Sequence, residues 1–319
     1  MEAESIDIYI NYTCNYRCVH CFLGEALNSK LSFTNSDVVE IVDHCIDNYK
    51  TNEVVLLGGE PTLHKEIHEI IHNIYDRNIE NIRLITNGGL TCERFINNYD
   101  GNIKPKIVFS VDGANSSIHD DIRGEGAFDE LVDSIQAAID NGFQFDAICS
   151  ICDKNYMEVC NILDFLDEYG FGSVTFHYVT PRGEECSDIQ VSPDEWLGLK
   201  QTILEYRNRV DLSIRFDTIF FDKENVDPAS SCRIKDKSNL MFFPDRSVYV
   251  CGLYIGSAYD SGFSWKDSAI IENNSNSEIS SATECGENCS GMSMIMNNSN
   301  YRDQAYKYSI SCMYDKEKI

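Results

Sequence analysis

The chain has 319 residues, with 52 acidic side chains against 26 basic ones and a net charge of −26. Such a surface repels phosphate backbones, which argues against a tRNA- or DNA-binding protein; it suits small neutral or cationic substrates and peptides, and it also keeps a protein dispersed. No run of about 18 apolar residues could span a membrane, and the acidic start Met1-Glu2-Ala3-Glu4-Ser5 lacks the basic, apolar character of a secretory signal, so a cytoplasmic location is expected.

From residue 5 to about residue 210, strand and helix signals alternate, which predicts a parallel sheet built from βα units. Ile6–Ile10 alternates apolar and polar residues as the first strand. Helical spacing follows through Val38, Val39, Ile41, Val42, Cys45 and Ile46, with Thr34, Asn35 or Ser36 as N-cap. Glu53–Leu57 is the second strand, before a helix near His64–Arg77. Ile82–Thr86, ending in Asn87-Gly88-Gly89, is the third, and Ile107–Val111, ending in Asp112-Gly113, is the fourth. The helix Phe128–Asn141 stops before Gly142. Phe145–Ile151 is the fifth strand, Tyr156–Tyr169 a helix, Val174–Val179 the sixth strand, and a last helix runs from Ser192-Pro193 to about Arg209. After about residue 212 the pattern changes. Leu240–Phe243 and Val248–Val250 flank a turn and read as a β-hairpin, while 273–281 and 297–300 are rich in Asn and Ser and read as loops.

Fourteen cysteines in a reducing compartment do not suggest a disulfide framework. Cys45, Cys92, Cys149, Cys152 and Cys160 sit in apolar patterns and read as small core residues. The grouped ones read as ligands. Cys14-x3-Cys18-x2-Cys21 closes the first strand and Gly58-Gly59-Glu60-Pro61 closes the second. Three thiolates in one loop can cap three irons of a [4Fe–4S] cluster and leave the fourth iron open to a small molecule. A Gly-Gly turn at a strand end lets backbone polar groups approach such a molecule closely. A structural zinc site, with His20 as fourth ligand, is the competing reading of the cysteines.

Taken together these motifs resemble the radical S-adenosylmethionine (radical SAM) superfamily. The resemblance implies a partial (β/α)6 barrel of the TIM type over residues 1–212, with the active site at the C-terminal strand ends. It further implies that the open iron binds the amino and carboxylate groups of SAM, that Gly58, Gly59, Glu60 and Pro61 hold the amino group, and that His20 lies near adenine. Asn87 joins the candidate set at the third strand end. Ser110-Val111-Asp112-Gly113 and His119-Asp120-Asp121-Ile122-Arg123-Gly124 resemble a run of peptide-modifying radical SAM enzymes. By that resemblance Ser110 and Arg123 reach the SAM carboxylate and Asp112 lies near the ribose; the plain reading makes Asp112-Gly113 a turn and Arg123 a surface charge. Either His177 or Tyr178 can flank adenine, with Tyr178 carried as the candidate.

Residues 213–319 resemble a shortened SPASM appendage, often called Twitch, which holds one auxiliary [4Fe–4S] cluster. Cys232, Cys251, Cys285 and Cys289 form its expected ligand set, with Cys312 the rival for one place and a zinc ribbon the alternative. The reading that follows is an enzyme that cleaves SAM to a 5′-deoxyadenosyl radical and abstracts hydrogen from a ribosomally made precursor peptide, leaving a crosslink, thioether, epimer or backbone change. An external donor would supply the electron. Little chain precedes Ile6, so leader recognition would fall to a partner protein. The alternatives are a radical SAM dehydrogenase or maturase acting on a small molecule or another enzyme, and a zinc- or cluster-stabilised interaction protein.

Overall fold

Seven strands lie side by side in chain order, each parallel to the next: β1 (Ser5–Tyr9), β2 (Glu53–Leu57), β3 (Asn81–Thr86), β4 (Lys106–Ser110), β5 (Phe145–Ile151), β6 (Ser173–Tyr178) and β7 (Ser213–Asp217). The computed structural model describes residues 3–179, 189–217, 220–222, 239–252, 255, 263–272, 308–310 and 316–319. Helices α1 (Asn35–Tyr49), α2 (Ile67–Tyr75), α3 (Leu90–Asn98), α4 (Ser116–Arg123), α5 (Ala127–Asp140), α6 (Val159–Glu168) and α7 (Pro193–Tyr206) connect the strands. This is the expected partial barrel, carried one strand further than six.

Local chemistry sets the helix ends. Thr34 and Asp37 form a reciprocal capping box at the start of α1, and Lys50 ends it in the left-handed region at φ 59°. The buried stripe of α1 is Val38, Ile41, Val42 and Cys45, close to the periodicity read from sequence. Helices α3 and α4 have no such signal. In α3 only Cys92, Phe95 and Ile96 are buried, and α4 buries His119, Ile122 and Arg123. A helix whose inner face is a histidine and an arginine is invisible to apolar periodicity.

The remaining strands are β8 (Phe220–Asp222), β9 (Leu240–Phe242), β10 (Ser247–Tyr249), β11 (Phe263–Lys266), β12 (Ala269–Glu272), β13 (Tyr308–Ile310) and β14 (Lys316–Lys318). The expected hairpin is β9–β10, and β9 lies parallel to β1, so the hairpin, β11 and β12 extend the barrel sheet beyond its first strand. At the other edge β14 runs antiparallel to β7, and β8 pairs with β13 in a separate ribbon. Among the described residues no helix is long and apolar enough to cross a membrane.

Trp196 of α7 holds the added seventh strand in place. Its ring is 1% exposed, stacks on Phe216 at 4.2 Å, meets Tyr178 edge-on at 5.2 Å and donates from Nε1 to Asp217 O at 3.2 Å. Trp196→Ala should therefore cost about 3–5 kcal/mol through the cavity and lost bond. Urea unfolding of the two proteins checks this, with Trp196→Phe expected to fall between them.

Candidate active site

The chain leaves β1 and crosses over the end of β2. Gly59 N donates to Asn11 O and Glu60 N to Thr13 O, both at 2.8 Å, while Asn11 Nδ2 donates to Glu60 O at 3.0 Å. A Cβ on Gly58 would stand 2.5 Å from Asn11 O, and one on Gly59 would stand 2.4 Å from Thr13 O. No side chain fits there, and that is why the turn needs two glycines. Glu60 is fully buried. Its carboxylate accepts from Thr62 N at 3.0 Å, Thr62 Oγ1 at 2.6 Å, Thr86 Oγ1 at 2.8 Å and Asn87 N at 2.8 Å. Burial raises its pKa above the ordinary value, partly countered by those donors. The Glu60 side chain thus ties the end of β2 to the end of β3.

The crossing delivers the loop with Cys14, Cys18 and Cys21, three half-buried free thiols. Donors face two of them. Tyr16 N lies 3.4 Å and Asn87 Nδ2 3.9 Å from Cys14 Sγ, and Arg123 Nη1 lies 3.8 Å from Cys18 Sγ. Burial pushes the Cys14 thiol up to about 11 and the Cys18 thiol up as well, so as bare thiols they keep their protons and need a metal group to hold them as thiolates. Tyr16 braces the loop from outside: its hydroxyl donates to Glu130 Oε2 at 2.7 Å, an oxygen that also accepts from Leu90 N at 3.1 Å. The donor set fits an iron–sulfur cluster held at three corners. His20, which a zinc site would use as fourth ligand, is engaged elsewhere, and among the described residues no three Cys, His, Asp or Glu side chains converge as ligands of a single ion.

His20 Nε2 instead meets Asp112 Oδ2 at 2.8 Å, an oxygen that Arg123 Nη2 reaches at 2.6 Å; Asp112 Oδ1 accepts from Ser150 N at 2.8 Å. Asp112 is fully buried, and burial alone would raise its pKa. The Arg123 guanidinium and then His20 override that and hold the carboxyl well below the usual carboxylate range. Arg123 is 6% exposed and its Nε is a buried donor with no partner among the described residues. A buried donor left without an acceptor is uncommon. The surface-charge reading of Arg123 does not survive. Ser110, half-buried at the end of β4, stands beside this group in the chain.

His119 lies beneath, fully buried, with Nδ1 accepting from Asp112 N at 3.3 Å. Burial, reinforced by the charge of Arg123, lowers its pKa to about 4, so the ring is neutral at neutral pH. At the end of β6 the two rings part company. Tyr178 is buried, donates its hydroxyl to Val191 O at 2.9 Å and packs on Trp196. The half-exposed ring is His177, whose Nδ1 lies 2.9 Å from the buried Asp217. Asn87, carried from the sequence, donates from Nδ2 to Asn15 Oδ1 at 3.0 Å and accepts from Gly89 N at 2.8 Å.

The hairpin reaches this loop through a second apolar cluster of Tyr9, Tyr12, Leu23, Leu27, Met241 and Phe243, with Tyr9 stacked on Phe243 at 4.0 Å. Cys251, just past β10, is buried. Cys232, Cys285, Cys289 and Cys312 lie outside the described residues. Sequence reasoning missed Asn11, Glu130, Ser150 and Asn155, whose Nδ2 donates to Asp112 O at 3.0 Å. Each is polar and unremarkable in its own segment, and only packing brings it to the site.

The sequence profile of the radical SAM superfamily matches residues 8–166, a span that holds the cysteine loop, the Gly-Gly turn and Arg123. The chain carries a radical SAM domain. Proteins of this superfamily are enzymes that use a [4Fe–4S] cluster and SAM. The chain is 27% identical over 188 residues to the AdoMet-dependent heme synthase of Methanosarcina barkeri, covering 57% of this chain and 52% of that one. It is 25% identical over 205 residues to the antilisterial bacteriocin subtilosin biosynthesis protein AlbA of Bacillus subtilis, covering 63% and 44%. The chain thus spans about half the length of these two relatives. Among solved structures, Streptococcus suis SuiB bound to the precursor peptide SuiA superposes with a TM-score of 0.67 at 14% identity, over 82% of this chain and 62% of that one. At that identity the likeness is one of fold.

Two outcomes follow from this geometry. Gly59→Ala must displace Thr13, so iron bound after anaerobic reconstitution should fall, by at most about half; iron analysis of both proteins checks this. His119, neutral when folded and with a folded pKa of about 4, takes up its proton more readily when unfolded, where its pKa is about 6.5. Its contribution is therefore fully present above about pH 6.5 and is lost as the pH falls toward 4, by roughly 3 kcal/mol. His119→Asn keeps an acceptor for Asp112 N and should remove that part of the slope in urea unfolding at pH 7 and pH 5.

Proposed function

We propose that this protein is a radical SAM enzyme that modifies a ribosomally made peptide. The observation that carries the chemistry is the set of three free thiols on one loop, two of them facing hydrogen-bond donors, wedged in place by Gly58-Gly59. Cys14, Cys18 and Cys21 would hold the cluster, and with SAM bound there it would supply radical chemistry able to take hydrogen from a C–H bond. Asn87 and Arg123 donate toward the sulfurs of Cys14 and Cys18, a contact that favours the thiolate form and tunes the potential. Arg123 Nε and Ser110 serve the SAM carboxylate, the backbone of 58–60 its amino group, and His20 the adenine side. Asp112 acts by positioning: with its oxygens committed to Arg123, His20 and Ser150 N, it aims Arg123 at the SAM carboxylate and His20 at the adenine. His177, rather than Tyr178, is the ring on β6 that is open to a bound ligand.

The peptide substrate is supported by two likenesses, to SuiB, solved with its precursor peptide, and to the subtilosin biosynthesis protein. In this reading residues 213–319 carry one auxiliary cluster on Cys251 with Cys232, Cys285 and Cys289, Cys312 being the rival ligand. A small-molecule substrate is the second reading, favoured by the likeness to a heme synthase.

Replacing Cys14, Cys18 and Cys21 together by Ala should remove about four of about eight irons and abolish 5′-deoxyadenosine formation. Stoichiometric zinc with no iron in protein purified without air would overturn the cluster. Coexpression with a short peptide encoded beside this gene, followed by mass spectrometry, tests the substrate: an altered peptide mass supports the peptide reading. Unaltered peptide together with intact SAM cleavage transfers the case to a small molecule.

A further inference from the structure

At the far end of the barrel from the cysteine loop, where the strands begin, the sheet walls a cavity of about 740 Å³. Closed βα barrels fill this region with packed apolar layers. Here Glu53, Arg83, Lys106, Asp146 and Arg215, from β2, β3, β4, β5 and β7, all line the space. Glu80 and Lys104, also on the lining, cancel one another. That leaves three cations against two carboxylates, a net positive cavity in a chain of net charge −26.

Two of these cations are neighbours on the sheet. Arg83 and Lys106 are directly opposed partners in the β3–β4 register, and like charges so placed repel. Their carboxylate support is incomplete. Lys106 Nζ holds Asp146 at 2.6 Å, but Arg83 reaches Glu53 at only 3.5 Å, and the same Glu53 oxygen also accepts from Ser5 Oγ at 2.9 Å. Across the cavity Arg215 has no ion pair among the described residues, and its register partners are Thr175 on β6 and Lys318 on β14. The hydroxyls of Thr175 and Ser173 line the same cavity.

We propose that this cavity binds an organic anion of metabolite size with two separated acidic groups, one held by Arg83 and Lys106, the other by Arg215 and Thr175. The volume lies in the range of small-ligand sites, and an oxyanion would relieve the Arg83–Lys106 repulsion while giving the Arg215 guanidinium paired acceptors. The site is independent of SAM chemistry. Its occupancy would link β3 and β4 to β7 across the inner face of the sheet.

Isothermal titration of the full reconstituted chain with citrate and with pyrophosphate tests this, with acetate as the single-group control. At least one of the two larger anions should bind in the millimolar range or tighter, more weakly at higher salt, and should raise the melting temperature. Citrate alone binding would identify carboxylates as the chemistry, pyrophosphate alone phosphates. Arg215→Gln, at an exposed position on β7, should keep the melting temperature of the unliganded protein and weaken binding about tenfold or more. Lys106→Gln should weaken binding likewise from the opposite wall, with some loss of melting temperature because Asp146 loses its ion pair. Absence of binding by both anions, acetate binding as tightly as they do, or wild-type affinity in both variants would overturn the proposal.

Discussion

Everything at the top of the barrel hangs on a backbone contact with no room in it: residues 11–13 lie across Gly58 and Gly59 closely enough that one Cβ would meet a carbonyl oxygen at 2.4–2.5 Å. Two backbone hydrogen bonds and the Asn11 amide close the crossing. Because the cysteine loop starts where the crossing ends, the position of three thiols is set by a glycine turn on a different strand. Glu60 extends the constraint. Buried and saturated with donors from Thr62, Thr86 and Asn87, it makes the third strand end part of the same rigid unit. Asn87, facing Cys14, is placed by that bond.

A second rigid unit stands opposite. Burying Asp112, Arg123 and His20 together carries a desolvation cost that a loosely made ion pair would not offset. Here the Asp112 oxygens are satisfied by two side chains and a backbone amide, and its own N–H and carbonyl are taken by His119 and Asn155. Such a network favours one geometry over alternatives. The short α4 exists to serve it, delivering both His119 and Arg123 from one face. The loop of Cys14, Cys18 and Cys21 lies between this unit and the Glu60 unit, with a donor from each directed at a sulfur.

The inner face of the sheet changes character along its length. At the strand ends that carry the site it presents Ser110, Ser150 and His177, and at the strand beginnings it presents charged side chains round a cavity. A parallel sheet packed on both faces would show apolar residues at every position. The outer face does so, against α1 to α7, and the core lies there. A sheet with a polar inner face lacks the packed apolar filling of a closed barrel.

Much of this was legible in the residues. Six strand positions, the main helices and the hairpin follow from period-2 and period-3.6 apolar patterns, because those patterns are the direct record of which face is buried. The cysteine spacing and the Gly-Gly turn could be read because each is a local feature: three thiols gathered on one loop, and a backbone with no space for Cβ. What tertiary structure decided is where distant polar groups meet. Nothing near Glu130 announces Tyr16, and β7 and α4 carried too few apolar positions to be seen. Between His177 and Tyr178 the alternation of a strand offers two faces, and only the packing of α7 through Trp196 shows which ring is buried. Arg123 could be taken for a surface charge in the sequence because its burial depends on Asp112, a partner in another element whose charge it balances.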